Sequence, residues 1–583
     1  VLKSRIEYIP LIAFLTIDGK DLKKPTVLIA ILVRNKAHTL PYFLTFLEQL
    51  NYPKERIHLW IRSDNNIDKS IEILSTWLNN ESKKYHGVNV NLDKKSSAFN
   101  DENGVAHWST QRFLHVINLR EEALNTGNDM WADYIWMLDA DVFLTNPNTL
   151  DELILKNETV VAPLLKSDGL YSNFWAGMTD DYYYLRTEKY EPILHREEKG
   201  CFKVPMIHSA VLIDLRKYFS DSLTYNPEKL SDYDGPTDDI ITFAMSANKS
   251  GVPLYICNDN IHGFVMVPLE DGEAIAEDLQ RLTNIKTEIL LHLEQFVRYP
   301  AEDTLQADNV YMISLLRRSE RRDRMNKLFK ELGIKAETID AVDGRVLNQS
   351  ALKMLGIEMM AEYTDPYHER PMTMGEIGCF LSHHVIWKKV IENGFETVII
   401  LEDDVRFEPF FRQKIHYILA ELKDLYLGRK RLAEKAESWV EGSKYLVHAS
   451  YSYWTLGYIL SARGAKKLVE AMPLKKLIPV DEYLPILSDV HPREDWKIHY
   501  PDRNLVILSA DPLLIYPMHY TGEEGYVSDT ENSNIIFSHE NNDKSRRDDL
   551  IVGSCTNVLP CTLCTLEEFP LQMSRVHQLR PYF

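Results

Sequence analysis

The sequence is poor in three features that would each assign it to a class of protein. It has 6 cysteines in 583 residues, too few for a disulfide scaffold. Its longest apolar stretch, residues 8–17, is half the roughly 20 residues that a membrane-spanning helix needs. It contains no long Lys/Arg tract, which argues against sequence-independent binding of nucleic acid. These absences favour a water-soluble globular protein without a membrane span and without a nucleic-acid partner.

The charges and the few cysteines still carry some information. There are 66 Lys+Arg and 86 Asp+Glu, so the formal net charge is 66 − 86 = −20. Such a surface suits a basic polypeptide partner, although solubility alone also explains it. Cys201 and Cys257 could pair within one domain. Lys3 and Arg5 precede the apolar residues 8–17, an order that fits a secretory signal or an ordinary first strand.

Two segments of the chain begin in the same way. Residues 26–33 and residues 310–315 are apolar runs that predict buried parallel strands, and helical spacing follows each of them. Each pair starts a βαβ unit, so the sequence predicts an α/β fold with two doubly wound sheets. The boundaries that we predict are an N-terminal segment 1–24, which could be a signal remnant, a first domain 25–290, a linker 291–307, a second domain 308–534 and a disordered tail 535–583.

Paired carboxylates follow one of the predicted buried strands. Asp139 and Asp141 come directly after the apolar residues 134–138. Carboxylates spaced i, i+2 at a strand end point the same way from the sheet edge, where they can hold a hard divalent cation. Such a cation neutralises a nucleoside diphosphate as it leaves. A single D-x-D motif is a weak signal, because it also occurs by chance in loops.

The pattern recurs in the second half, which strengthens it. Glu402 and Asp404 follow residues 397–401, in positions that match Asp139 and Asp141. Downstream of each motif come an acidic pair and then a histidine: Asp238, Asp239 and His262 in the first half, and Asp481, Glu482 and His519 in the second. We predict that the strand-end carboxylates and the histidine bind a metal ion, and that the acidic pair offers a general base. Taken singly, each acidic pair is more typical of a helix N-cap.

The second half also contains longer motifs. Residues 374–383 read MGEIGCFLSH and residues 401–405 read LEDDV, and further motifs occupy residues 451–456, 479–485 and 520–531. In these motifs the chain resembles glycosyltransferase family 25, and in particular the animal procollagen galactosyltransferases and their adhesion paralogue. The resemblance runs from about residue 25 to residue 532.

The resemblance implies two tandem GT-A-type, Rossmann-like domains in the endoplasmic reticulum lumen. It implies transfer of β-linked galactose from UDP-galactose to hydroxylysine of collagen, with Mn²⁺ as cofactor. By the family pattern, Glu402, Asp403 and Asp404 belong to the donor and metal site, and Asp481 or Glu482 is the base. The implied partners are collagen chains and a UDP-sugar, and a homodimer is left open. The C-terminal residues do not show the KDEL-type retention signal of the family.

Other side chains are candidates for donor binding. Arg317, Arg318 and Arg321 follow the first strand of the second domain and could contact phosphate or uridine, or form a solvated basic helix face. Asp64 follows residues 58–61, where a second-strand polar side chain often meets the nucleoside.

Two other functions are compatible with the sequence. One is a non-catalytic adhesion or scaffold protein, although a scaffold has no need for two sets of carboxylates. The other is glucosyl transfer to galactosylhydroxylysine, because the choice between epimeric donors depends on a few hydrogen bonds. The sequence does not decide which domain catalyses; we favour the second, which carries the family motifs.

Overall fold

The apolar runs of the sequence become the central strands of two sheets. The computed structural model describes residues 24–530, apart from 96–97, 183, 292, 294, 367–368, 423, 430–436, 452–453 and 520–526. These residues form two compact units that divide between Arg298 and Tyr299. The N-terminal segment, the tail after residue 534 and the motif residues 520–526 lie outside the described residues. None of the helices in the described ranges is long and apolar enough to cross a membrane.

The first unit is built on an eight-stranded mixed sheet. Its strands, in spatial order, are Gly87–Leu92, Ile57–Ser63, Val27–Val33, Tyr134–Leu138, Ala210–Asp214, Val160–Pro163, Leu254–Cys257 and Cys201–Val204. The first four are parallel, the fifth is antiparallel to both neighbours, the sixth and seventh are parallel, and the last is antiparallel. The buried strands read as continuous apolar runs because helices cover the sheet.

Helices and short strand pairs complete the first unit. The helices are Leu40–Gln49, Ser70–Glu81, Thr110–Asp129, Thr149–Leu155, Tyr190–Leu194, Asp239–Lys249 and Ile275–Ile289. Three antiparallel pairs accompany them: Val142–Phe143 with Phe264–Val265, Phe174–Trp175 with Met206–Ile207, and Gly177–Met178 with Tyr184–Leu185. Cys201 and Cys257 lie opposite each other on adjacent strands and form a disulfide, so the pairing that the sequence allowed is present.

The second unit is built on a seven-stranded sheet. In spatial order its strands are Glu337–Asp340, Asn309–Ser314, Thr397–Glu402, Thr455–Ser461, Leu425–Arg429, Ile507–Ala510 and Leu446–His448. The helices are Ser319–Leu332, Gln349–Met354, Met374–Asn393, Phe411–Glu421, Ala462–Glu470, Val480–Leu487 and Glu494–Lys497. Val405–Phe407 pairs with Ile515–Pro517 as an antiparallel ribbon.

The two sheets have the same topology. In the second, three parallel strands are followed by a strand antiparallel to both neighbours, a parallel pair and an antiparallel edge strand. This is the order of the first sheet without its outermost strand Gly87–Leu92. In both units the strand that ends in the acidic motif lies at the same place in the sheet. The α/β fold class predicted from the two apolar runs is therefore confirmed, with a mixed sheet in each unit.

Candidate active site

A large cleft opens in the second unit at the carboxyl ends of Asn309–Ser314 and Thr397–Glu402. Its volume is about 540 Å³, within the range of pockets that bind small molecules. One wall is the start of helix Met374–Asn393, which packs closely on a loop: a Cβ on Gly378 would lie 2.3 Å from the carbonyl oxygen of Val342. The lining includes these predicted site residues: Arg317, Arg321, Glu402, Asp403, Asp404, Asp481, Glu482 and His519.

Few positively charged side chains lie near the strand-end acids of this cleft. The nearest cation that we find for Asp404 is Arg321, whose Nη1 is 3.7 Å from Oδ2, while Asp404 Oδ1 is buried without a hydrogen-bond partner among the described residues. Burial and the charge of Asp403 raise the pKa of Glu402 to about 8. Burial and the charge of Glu402 raise the pKa of Asp404 to about 7. An unpaired carboxylate oxygen of this kind fits a divalent cation.

The acidic pair of the second unit lies in the first turn of helix Val480–Leu487. Glu482 is buried and tied down: His491 Nε2 is 2.7 Å from its Oε2, and the Tyr451 hydroxyl donates to the same oxygen (3.0 Å). Burial and the charge of Glu482 raise the pKa of Asp481 to about 7. Asp481 can therefore exchange a proton near neutral pH, as a general base requires.

The three arginines predicted to bind the donor are placed differently from one another. Arg317 is held by Asp343 and Asp529, each at 2.8 Å. Arg318 also binds Asp529, and it is absent from the lining of the cleft. Arg321 faces the cleft and approaches Asp403 at 3.4 Å. Of the three, Arg321 has the placement that best suits contact with a bound phosphate.

His383, part of the MGEIGCFLSH motif, faces the strand-end acid. Its Nε2 is 3.3 Å from Glu402 Oε1 and makes no hydrogen bond with any described residue. Its Nδ1 is 2.9 Å from the Tyr458 hydroxyl, which also accepts the indole N–H of Trp387. Burial lowers the pKa of His383 to about 3, so the ring is neutral and adds no positive charge to the cleft.

The first unit has a corresponding but smaller cleft, with a volume of about 230 Å³. Its lining brings together Asp64, Asp139, Asp141, Asp238 and Asp239, as the sequence predicted. Basic side chains lie within 3.0 Å of Asp139, Asp141 and Asp239 in this cleft, whereas Arg321 lies 3.4 and 3.7 Å from Asp403 and Asp404 in the second. This difference distinguishes two sites that look alike in the sequence.

Arg120 and Lys36 provide those pairings. The Arg120 guanidinium, whose side chain is 12% exposed, donates both to Asp239 and to Asp139, the latter at 3.0 Å. Lys36 Nζ lies 2.7 Å from Asp141. Burial alone would lower the pKa of Lys36, but the charges of Asp141 and its acidic neighbours outweigh that effect and raise it. Both cations therefore remain charged at neutral pH.

The remaining predicted acids of the first cleft also have partners. Asp238 is the N-cap of helix Asp239–Lys249 and accepts the N–H of Ile241 at 2.9 Å. Asp64 lies 2.7 Å from His115 Nε2. The N-cap alternative noted for the acidic pairs thus describes Asp238. The predicted roles of these residues in catalysis and donor binding stay predictions.

The proposed equivalence of His262 and His519 is corrected by the structure. His262 is buried beside helix Thr149–Leu155, with Nδ1 3.2 Å from the Thr149 hydroxyl, and it is not among the residues that line the first cleft. The two histidines lie at opposite ends of their ribbon strands: His262 precedes Phe264–Val265, whereas His519 follows Ile515–Pro517. His262 therefore does not face the predicted metal site.

Backbone pairing identifies the true counterpart of His519. Met266 N–H donates to the carbonyl of Asp141, and Met518 N–H donates to the carbonyl of Asp404. The residue after Met518 is His519, so the matching residue of the first unit is Val267.

Sequence reasoning missed Arg120, Lys36 and His383 as members of the two sites. A usable signal existed for two of them. Arg120 precedes Asp139 by 19 residues, and His383 precedes Glu402 by 19 residues, on helices that both lead into the acidic strand. Alignment of the halves on their strand-end acids would have paired these two residues. Lys36 comes from a separate loop, and no spacing relative to the motif points to it.

Two Rossmann-like units with an acidic cleft at their strand ends are the arrangement of a GT-A-type glycosyltransferase. The sequence profile described as glycosyltransferase family 25, N-terminal domain, matches residues 24–286, and that of glycosyltransferase family 25 (LPS biosynthesis protein) matches residues 307–484. The chain belongs to glycosyltransferase family 25, as its motifs indicated.

Curated relatives match most of the chain. A protein of Anopheles gambiae named glycosyltransferase 25 family member is 51% identical over 540 residues, which cover 90% of this chain and 91% of the relative. Human procollagen galactosyltransferase 2 is 46% identical over 531 residues, which cover 88% of this chain and 84% of the relative. The chain is thus a glycosyltransferase by family, which favours the enzyme over the scaffold alternative.

Solved structures are more distant. A mannosyltransferase from Pyrobaculum calidifontis in complex with GDP-Man and Mn²⁺ aligns with a TM-score of 0.26 at 14% identity, covering 46% of this chain and 66% of that chain. At this score the likeness says nothing about the ligands of this protein.

Proposed function

We propose that the protein transfers galactose from UDP-galactose to hydroxylysine residues of collagen, and that the second cleft performs this reaction. The observation that carries the proposal is the carboxylate pair of Glu402 and Asp404 in that cleft, with Asp404 Oδ1 unpartnered among the described residues, in a chain of family 25. Relatives named procollagen galactosyltransferase, 46% identical to this chain, support the donor and the acceptor. The volume of the second cleft, about 540 Å³, suits a nucleotide sugar better than the 230 Å³ of the first.

The reaction is an inverting displacement at the anomeric carbon. The hydroxylysine oxygen forms a bond to that carbon, the bond from the carbon to the diphosphate oxygen breaks, and UDP leaves with the electron pair. The hydroxyl proton passes to a carboxylate of the acidic pair. We assign this role to Asp481, because the carboxylate of Glu482 is already engaged by His491 and Tyr451. A carboxylate whose pKa is about 7 is matched to proton transfer at neutral pH.

Glu402, Asp404 and His519 would hold a divalent cation, for which we propose Mn²⁺. The unpartnered Oδ1 of Asp404 is the feature that best fits such an ion. When bound, the cation supplies Lewis-acid stabilisation of the charge that develops on the diphosphate. Arg321, at the same edge of the cleft, adds a fixed positive charge beside Asp403. Arg317 and Arg318 support the cleft through Asp529, to which both are bound.

The cellular setting that we propose is the lumen of the endoplasmic reticulum. The Cys201–Cys257 disulfide supports an oxidising compartment. Collagen chains rich in lysine and arginine would be attracted by the net charge of −20.

The test is a transfer assay with purified full-length protein, UDP-galactose, Mn²⁺ and a hydroxylysine-bearing collagen peptide. We expect labelled galactose in the peptide, and loss of transfer when a chelator removes the cation. Asp404→Asn should lower the rate by about 100-fold or more, equivalent to about 2.7 kcal/mol of transition-state stabilisation. Asp481→Asn should lower kcat more than it changes KM, because the base acts in the chemical step.

Two comparisons make the assay decisive. Asp502→Asn removes an exposed acid of the same unit and should leave transfer unchanged. Asp141→Asn should retain most of the activity, whereas loss with Asp141→Asn alone would move the chemistry to the first unit. Incorporation from UDP-glucose but not from UDP-galactose would establish the glucosyl alternative. No transfer from either donor would overturn the enzyme proposal.

A further inference from the structure

We infer that the first cleft has side-chain cations in the place of a divalent metal, so that each chain binds one such ion, in the second unit. The inference deepens the proposed function, because it takes from it the metal role of Glu402 and Asp404. It contradicts the expectation from the repeated motif that both clefts bind metal. Three structural differences at matching positions carry it.

The first difference is on the helix that leads into the acidic strand. Arg120 and His383 occupy the same position relative to their strand-end acids, 19 residues before Asp139 and Glu402. Arg120 binds Asp139 and also Asp239, joining the strand end to the acidic pair. His383 Nε2 lies 3.3 Å from Glu402 Oε1 and makes no hydrogen bond with any described residue. One unit therefore has a guanidinium bound to its strand-end acid, where the other has an imidazole that is not bound to it.

The second difference is in the loop after the first strand. Strand pairing aligns Ala30 with Tyr311, and six residues further along come Lys36 and Arg317. Lys36 reaches the acidic motif and lies 2.7 Å from Asp141. Arg317 instead forms ion pairs with Asp343 and Asp529. The same position thus supplies a counter-ion to the acids of the first unit but not to those of the second.

The third difference is after the ribbon strand, where Val267 takes the place of His519. An isopropyl group has no lone pair to donate to a metal ion. The first cleft therefore lacks the third protein ligand proposed for the second, and His262 points elsewhere.

Together these differences change the electrostatics of cation binding. Asp139, Asp141 and Asp239 face the two positive charges of Arg120 and Lys36. A divalent cation would have to displace both side chains, and it would leave a buried arginine without its carboxylates. Breaking buried ion pairs of this kind is strongly unfavourable. In the second cleft the cation would instead meet Asp404 Oδ1, which has no hydrogen-bond partner among the described residues.

Metal stoichiometry tests the inference without measuring activity. The full-length protein would be stripped with chelator and titrated with Mn²⁺ in the presence of UDP, with free Mn²⁺ followed by electron paramagnetic resonance. We expect one bound Mn²⁺ per chain. Asp404→Asn should lose it, and Asp141→Asn should keep it with an affinity within about twofold of the parent. Two ions per chain, with one lost in Asp141→Asn, would overturn the inference.

A second variant, which removes the two side-chain cations, tests whether they exclude the metal from the first cleft. Arg120→Met combined with Lys36→Met leaves the carboxylates free, so it should gain a second Mn²⁺. A folded double variant that still binds one ion would contradict the inference that these side-chain cations take the place of a metal ion. If this variant fails to fold, the stoichiometries of the parent and of Asp141→Asn still decide the question.

The inference and the proposed function can fail separately. A chain that binds one Mn²⁺ in the second unit but transfers no sugar supports the inference and overturns the function. A chain that transfers galactose and binds two Mn²⁺ supports the function and overturns the inference.

Discussion

The two units share a sheet topology and an acidic strand end, yet the charges around those acids differ. In the first unit, Arg120 and Lys36 bind Asp139 and Asp141 directly. In the second, Glu402 and Asp404 have a neutral histidine and a more distant arginine as neighbours. The lesson is that an acidic motif at a strand end does not by itself fix the charge of its surroundings. The side chains that other elements bring to the acids decide how far their charge is neutralised.

The largest effect should come from giving the second cleft the charge of the first. His383→Arg would place a guanidinium against Glu402, as Arg120 stands against Asp139. We expect galactosyl transfer and Mn²⁺ binding each to fall by about 100-fold or more, because the new charge competes with the cation. Both can be measured with the transfer assay and the Mn²⁺ titration.

A control for this variant lies on the same helix. Val385 is exposed, so Val385→Arg adds the same charge without facing the cleft and should leave both quantities unchanged. A thermal unfolding scan shows whether His383→Arg is folded. A folded His383→Arg protein with the activity of the parent would mean that charge at this position does not distinguish the clefts.

An effect of intermediate size is expected on stability. Arg120→Met leaves the buried Asp239 and the half-buried Asp139 without this partner, which should destabilise the first unit by about 3 kcal/mol. Arg321→Met removes a 2.8 Å hydrogen bond to the Val527 carbonyl and longer ion pairs with Asp403 and Asp404, and should cost about 1 kcal/mol. Hydrogen exchange measured on peptides that cover 110–143 and 397–407 would report each unit separately. Equal changes in the two variants would mean that the two arginines are equivalent in structural importance.

The smallest expected effect is on the pH dependence of stability. Burial and the charge of Asp239 raise the pKa of Asp238 above its usual range. The folded protein therefore keeps this proton to higher pH than the unfolded chain, so Asp238 lowers stability progressively as pH rises above about 4. Asp238→Asn keeps an N-cap acceptor but cannot ionise. Its thermal midpoint should match that of the parent near pH 4 and exceed it by a few degrees at pH 8.

For Asp343, an N-cap in the second unit, we expect the opposite dependence of stability on pH. Burial alone would raise the pKa of this carboxyl, but hydrogen bonds from Arg345 N–H and Arg317 outweigh that effect and lower it. The ionised carboxylate is stabilising, and that stabilisation is present above the unfolded pKa and lost as pH falls. Asp343→Asn should therefore lower the thermal midpoint at pH 8 and matter less as the pH approaches 3. The same pH trend in both variants would contradict these assignments.

Much of the fold followed from local pattern. The apolar runs at 26–33 and 310–315 predicted strands that the structure gives as Val27–Val33 and Asn309–Ser314. Strands buried on both faces leave a continuous apolar run, which few other elements imitate. The antiparallel strands within each sheet were not predicted, because strand direction depends on connections that hydrophobic periodicity does not record.

The histidines show where pattern reasoning was wrong. His262 and His519 follow their acidic pairs in the same chain order, yet one precedes its ribbon strand and the other follows it. Chain order alone does not show on which side of its strand each histidine lies, because the intervening loops differ in length. The backbone hydrogen bonds of Met266 and Met518 provide the register that the sequence lacked.

The sequence by itself determined that two α/β units exist, that each ends a buried strand in paired acids, and that the chain has the motifs of family 25. These properties are encoded by residues close together in the chain. Only the tertiary structure decided which acids are neutralised, because Arg120, Lys36 and His383 reach the strand ends from other elements. The charge balance of a site is a sum over all neighbours in space. Two nearly identical acidic motifs can therefore have different electrostatic surroundings.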